Sequence, residues 1–265
     1  MKKYLAVAKA FFKAQIVYRF DVAMTALATV GRVLFAWILW GAVFSGRETV
    51  GDFTFGGMLS YYLVSSFLTS LEMSSGVSGE VSSRIKDGTF SRLMVIPSNP
   101  QLHFIAQTFG SAGYYAIFAV IATVLSGLLL SANLSLAQDA WTLLCALTMI
   151  LLGLVFMVVY QFFIGVLAFK FQDIEFFWHL QGSITAFVTG TIFPLVLLPD
   201  SILSVLKFLP FTYVTYMPAM LIIGQTGVQE GLFGLLVLAI WVAGTLLIGR
   251  ATYHRFRVKF DGVGV

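Results

Sequence analysis

"AWTLLCALTMILLGLVFMVVYQFFIGVLAF", Ala140 to Phe169, runs for thirty residues without a charged side chain. A helix needs about 20 mostly apolar residues to cross the hydrocarbon core of a bilayer. This stretch exceeds that length, so it predicts a span that tilts or extends past the membrane. The rest of the chain is built the same way. Of its 265 residues, 59 % are hydrophobic and 11 % charged, against roughly 25 % charged in soluble domains. Five more stretches predict spans: Val22–Phe44, Phe55–Val77, Phe104–Leu130, Phe176–Leu198 and Leu232–Arg250. The predicted fold is an all-α integral membrane protein with six transmembrane helices, one membrane domain over residues 1–265.

Lysine and arginine placement predicts its orientation. Lys2, Lys3, Lys9, Lys13, Arg19, Arg84, Lys86, Arg92, Lys170, Arg255, Arg257 and Lys259 all fall on one side of a six-span path, with Arg250 at its edge. The other side holds Arg47 and Lys207. By the positive-inside rule both termini are cytoplasmic, in the cell membrane. The net charge of +4 is therefore a topology signal, and no nucleic-acid partner is expected. No cleavable signal peptide is evident, because the basic start runs to Arg19 and a full-length apolar stretch follows. Within residues 2–19, Lys2, Lys9 and Lys13 share one helical face, with Tyr4, Val7, Phe11 and Tyr18 roughly opposite. That pattern fits a helix lying in the cytoplasmic interface; a plain basic flank to the first span is the alternative.

Four of the six prolines, Pro194, Pro199, Pro210 and Pro218, punctuate "FPLVLLPDSILSVLKFLPFTYVTYMPAMLIIG". The stretch is too apolar for an ordinary loop and too interrupted for a clean span. Irregular backbone at membrane depth must lie against protein or a wet cavity. Residues 199–224 are therefore expected as a re-entrant hairpin, with short helices at Ser201–Phe208 and Thr212–Ile223. A kinked seventh span through Thr212–Ile223 would place the basic tail outside.

Between the second and third apolar stretches lies "GEVSSRIKDGTFSRLMVIPSNP", Gly79 to Pro100, a cytoplasmic loop by this topology. Glu80 and Arg84 are spaced to pair on one helix face. Gly88 supplies a break after Asp87, and Thr89 can cap a second short helix. Phe90, Leu93 and Met94 then form an apolar stripe at helical spacing, ended by Pro97 and Pro100. An exposed stripe on a short cytosolic helix needs cover, from lipid or from a groove on a soluble partner.

With its glycine–hydroxyl pair and proline end, this segment resembles the permease subunits of the ABC type-2 export family. The Gly-x-x-x-Pro, Leu-Pro and Leu-Pro-Phe spacing of the proline-rich stretch resembles them too, and the ending "RVKFDGVGV" faintly does. The resemblance covers nearly the whole chain. It implies that the loop over residues 79–100 is a coupling element seated on a separate ABC ATPase through Glu80, Arg84, Asp87, Gly88, Thr89, Phe90, Leu93 and Met94. It implies short re-entrant helices between spans five and six. It also implies a second permease subunit, identical or a diverged sister. The chain has no GxxxxGK[ST] motif, so it cannot itself cradle ATP phosphates. It is expected to bind no cofactor, ATP and magnesium residing on the partner ATPase.

Ionisable groups at membrane depth are functional candidates by default. Arg32 lies mid-way through the first span and Glu72 in the Ser-rich end of the second. They form either a buried pair or part of a polar strip on the translocation path. Ser74, Ser78 and Ser82 suit a small-residue packing face. Lys170, Asp173, Glu175 and His179 suit a solvated corner, and without a second histidine at ligand spacing no metal site is expected. Cys145 excludes an intrachain disulfide. Asp139 and Asp200 are isolated, and no nucleophile–base arrangement appears, so no catalytic residue is expected. The predicted function is an ATP-driven exporter subunit moving an amphipathic or hydrophobic substrate outward. An ion-coupled secondary transporter would want acids along several spans and inverted repeats. A lipid-modifying membrane enzyme would want clustered acids or histidines in a loop.

Overall fold

A computed structural model describes residues 2–51, 53–95, 98–130, 135–171 and 174–257. Ile96, Pro97, Asp173 and the ending from Val258 onward lie outside them. The described chain is helical apart from a two-residue antiparallel pair, β1 (Thr49–Val50) and β2 (Phe53–Thr54). Among the described residues, four helices are long and apolar enough to cross a membrane: α2 (Arg19–Val43), α6 (Pro100–Leu129), α7 (Ala140–Val166, extended by a 3-10 turn to Phe169) and α11 (Val228–Phe256). Local chemistry sets several of their ends. Asn99 caps α6 by accepting from the Gln101 N–H at 2.9 Å, with Pro100 in the first turn, where a missing N–H costs nothing. Asp139, isolated in sequence, caps α7 through the Thr142 N–H at 3.0 Å and hydroxyl at 2.7 Å. Those bonds hold its carboxyl below the usual carboxylate range.

The two remaining expected spans are interrupted. α3 (Phe55–Leu71) has 17 residues and stops at Glu72. The chain turns over residues 72–76 before α4 (Val77–Lys86) begins. α8 (Glu175–Val188) has 14 residues. It ends at Gly190, whose φ of +76° suits glycine and whose carbonyl accepts the Tyr61 hydroxyl at 2.7 Å. The apolar content of Phe176–Leu198 is real, but a tertiary hydrogen bond to α3 and the left-handed turn divide it. Six uninterrupted spans are thus not what the chain forms.

The proline-rich stretch folds as short helices: α9 (Asp200–Leu206), a 3-10 turn over Pro210–Tyr213, and α10 (Tyr216–Ile222). The two arms, Asp200–Leu206 and Pro210–Ile222, bend by 84°. Each proline opens an element. Pro194 and Pro199 precede helical turns, Pro210 starts one, and Pro218 sits in the first turn of α10. The hairpin packs into the main core with Tyr213, Ala219 and Leu221 fully buried against α3 and α7. Its far end is tied down where the Ala137 N–H donates to the Ile222 carbonyl at 2.8 Å and Ser135 reaches the Ile223 carbonyl at 3.0 Å.

α1 (Lys2–Ala14) crosses the first half of α6, and none of its residues is buried. A Cβ on Gly110 would lie 2.2 Å from the Ala8 carbonyl oxygen, so glycine permits that crossing. The Tyr4 hydroxyl accepts from the Asn99 N–H at 3.0 Å, and Gln15 donates to Ser111 at 2.9 Å. The element therefore has a protein neighbour as well as an outward face with its lysines. At the same end of the molecule, α4, α5 (Ser91–Val95), the end of α7 and the end of α11 share a second, smaller core.

Candidate functional site

The α4–α5 elbow stands at the basic end, on the second core. Glu80 accepts from Arg84 at 2.7 Å, the i,i+4 pair expected, and from Gln107 of α6, also at 2.7 Å. Gly88, at φ +71°, reverses the chain, and the Phe90 N–H donates back to the Arg84 carbonyl at 2.8 Å. Thr89 does not cap α5. Its hydroxyl donates to the same Arg84 carbonyl at 3.5 Å, closing α4. Asp87 accepts from Ser83 at 3.1 Å.

The apolar stripe is not on the surface. Phe90 is fully buried, Leu93 is 6 % exposed and Met94 is half-buried. The Phe90 ring meets Phe169 edge-on at 5.5 Å and Tyr253 at 6.1 Å. Tyr253 in turn meets Phe162, which meets Phe104. The expectation that Phe90 and Leu93 fill a partner's groove is corrected on this ground: the chain's own α7 and α11 cover them. What the elbow exposes is polar apart from Val95, namely Ser83, Lys86, Asp87, Ser91 and Arg92. α4 is pressed onto α7 at Gly165, where a Cβ would lie 2.6 Å from Val81 Cβ and 3.0 Å from the Ser78 carbonyl oxygen. Ser78 and Ser82 are buried on that face, as a small-residue contact requires. Ser74 lies outside α4, in the break.

Arg32 and Glu72 do not form an ion pair. The Arg32 guanidinium donates to the hydroxyls of Thr29 at 3.3 Å and Ser70 at 3.4 Å. Glu72 Oε1 instead takes both the Ser74 N–H, at 3.0 Å, and the Ser74 hydroxyl. The break that ends α3 at Glu72 gives the carboxylate those two local donors. Among the described residues Glu80–Arg84 is the one salt bridge.

Glu72 lines a cavity of about 410 Å³ bounded by α3, α7, α8 and the hairpin. Hydroxyls and amides are set into a wall that is apolar over most of its area: Thr69, Ser75, Gln161, Gln181, Thr185, Thr189, Thr191 and Thr215. Gln181 donates to Gln161 at 3.4 Å across it. Trp178 and His179 stand at its rim and also line a second cavity, of about 460 Å³, beside Ser83, Lys86 and Asp87 of the elbow. The Trp178 indole N–H donates to the Ser75 carbonyl at 3.4 Å between the two. Sequence reasoning had passed over Gln161, Gln181 and Thr185. Their signal was amides and hydroxyls inside otherwise apolar stretches, where each needs a partner or a cavity. His103, on the first turn of α6, lies on the elbow side near Glu80 and is not part of either cavity.

Residues 30–258 match the ABC-2 family transporter protein model. The chain belongs to that family. No curated protein matches it. Family membership and the long apolar helices make it a multi-pass membrane component of an ABC transporter, a transport component and not itself a catalyst, of a class that works with an ABC ATPase. The matched range takes in the elbow, both cavities and the hairpin.

Proposed function

We propose that this ABC-2 family chain is the permease of an ATP-driven exporter in the cell membrane. In this reading ATP and magnesium are bound by a separate ABC ATPase, and a second permease subunit completes the complex. The chain crosses the membrane six times, with α3–α4 and α8 as interrupted spans, the hairpin re-entrant from the outer face, and both termini cytoplasmic. The observation that carries the mechanism is the burial of Phe90. The elbow is locked by its aromatic stripe to the ends of α7 and α11, and by Gly165 to the side of α7. A push on its polar outer face is therefore delivered to two long spans as a rigid displacement. The cavity beside it offers a stopping place with both apolar and polar lining, reached past Trp178 from the elbow side. Among the described residues, acids buried along several spans, the mark of an ion-coupled transporter, are not seen beside Glu72.

Docking then belongs to the exposed residues of the elbow, with Phe90, Leu93 and Met94 as its anchorage and Glu80, Arg84, Gly88 and Thr89 shaping it. Ser91→Glu combined with Arg92→Glu reverses the charge at the centre of that face. Mismatched interface charges cost several kcal/mol in unfavourable cases. Co-purification of the ATPase is expected to fall by roughly tenfold, with the chain's own melting temperature unchanged. Full retention of the ATPase with undiminished export would refute the assignment.

The orientation has its own check. In a Cys145→Ala background, Glu48→Cys and Gln138→Cys should react with a membrane-impermeant thiol reagent added to intact cells, and Arg255→Cys should react only after lysis. All three positions are exposed. Labelling of residue 255 from outside would overturn the six-span path.

A further inference from the structure

We infer that the 410 Å³ cavity is a binding site for an organic cation of drug-like size. The inference rests on the transporter reading for its purpose and on the cavity's chemistry for its content.

Its volume falls in the range of ligand pockets, roughly 300–1,000 Å³, and is far larger than a metal ion needs. Its wall presents a carboxylate and unpartnered oxygens. Both Ser74 donors go to Glu72 Oε1, so the second carboxylate oxygen is left to the cavity. Gln181 is 8 % exposed; one of its two amide N–H groups goes to Gln161, and its Oε1 is buried without a hydrogen-bond partner. The Thr185 hydroxyl oxygen is buried and unpartnered as well. Buried polar atoms in that state cost free energy unless something occupies them. Among the described residues no lysine or arginine lines the cavity, and His179 at the rim is its one basic side chain. An anion would find no fixed positive charge there. A purely apolar molecule would strand the amide and hydroxyl oxygens. An ammonium or other delocalised organic cation satisfies the carboxylate by charge and the two oxygens by N–H or polarised C–H groups. The Trp178 ring at the rim adds a face that attracts cations.

The test uses the full chain in nanodiscs of zwitterionic lipid, so that the bilayer does not itself concentrate cations. Ethidium serves as the cationic probe and Nile red as the neutral one, with binding followed by fluorescence titration. Ethidium is expected to saturate a single site on the unaltered chain. Glu72→Gln keeps an oxygen able to accept from Ser74 and removes the charge. Ethidium affinity should then fall roughly 10- to 100-fold, as loss of a charged hydrogen-bond partner implies. Thr185→Lys, which fixes an ammonium inside the cavity, should abolish ethidium binding independently. Nile red binding should be little changed in either variant, and unchanged melting temperatures certify the fold. Ethidium affinity undiminished in either folded variant, or no saturable ethidium binding by the unaltered chain, overturns the inference. Failure of the transporter reading would look different. The chain would show no ATPase association, while the Glu72-dependent cation site remained measurable. Conversely, ATPase association and export together with ethidium binding that is indifferent to Glu72 would leave a transporter with this cation site struck out.

Discussion

Replacing Phe90 by alanine is expected to destabilise the isolated chain by about 3–5 kcal/mol, the usual range for removing a buried phenylalanine. Phe90 is fully buried and holds Phe169 and Tyr253 in ring contact. Its removal leaves a void beside Leu93 in the core that anchors α5. The loss should appear as a lower melting temperature of the purified chain, with no partner present. That is the discriminating feature. A side chain whose work was to fill a groove on the ATPase would leave the isolated chain's stability alone and weaken only the complex. In the assembled transporter, Phe90→Ala should retain ATPase association through the polar face while ATP hydrolysis and export come apart. Phe90→Leu, which fills most of the volume, should recover the larger part of both. An unchanged melting temperature for Phe90→Ala, together with loss of the ATPase, would restore the groove assignment and remove the anchor.

The contrast shows what the sequence could carry. Spacing at i, i+3 and i+4 established that Phe90, Leu93 and Met94 share an apolar face. It could not say which surface covers that face, because the partners Phe169 and Tyr253 lie about 80 and 160 residues away. The long helices were legible for the opposite reason. Thirty uncharged residues specify a span with no knowledge of neighbours, and α2, α6, α7 and α11 fall where hydropathy placed them, with ends shifted by a few residues. The interrupted spans were not legible as such. Residues 72–76 and Gly190 sit inside apolar stretches, and what breaks them is local carboxylate capture by Ser74 and a tertiary bond from Tyr61. The prolines were the better guides, since their lack of an N–H confines them to the starts of elements wherever they occur. For Arg32 and Glu72 the residue types marked a polar interior correctly, but pairing is a question of distance. Each found hydroxyl partners nearer in the chain than the other's charge.

Gly165→Ala is the other substitution from which a large effect is expected, and it tests the side-on half of the elbow's attachment. The added Cβ would lie 2.6 Å from Val81 Cβ, 2.8 Å from Val81 Cγ1 and 3.0 Å from the Ser78 carbonyl oxygen. Two of those three atoms cannot swing away by a rotamer change, since Cβ and the carbonyl are fixed to the α4 backbone. α4 must therefore move off α7 as a body. Overpacking of this kind costs about 1–3 kcal/mol, and the displaced helix carries the docking face with it. The melting temperature should fall, and substrate-dependent ATP hydrolysis should fall further than the melting temperature alone accounts for. Trimming the neighbour with Val81→Ala should not rescue the variant, because alanine keeps the Cβ that makes the closest approach. Gly79→Ala on the same helix supplies the control. It has nothing within 4 Å of its added carbon, so it should be neutral or slightly stabilising through helix propensity alone. If Gly165→Ala melts and couples like the unaltered chain, or if Val81→Ala restores it fully, α4 does not ride on α7 as a rigid lever. Force from the elbow would then have to reach the spans through the aromatic anchor by itself.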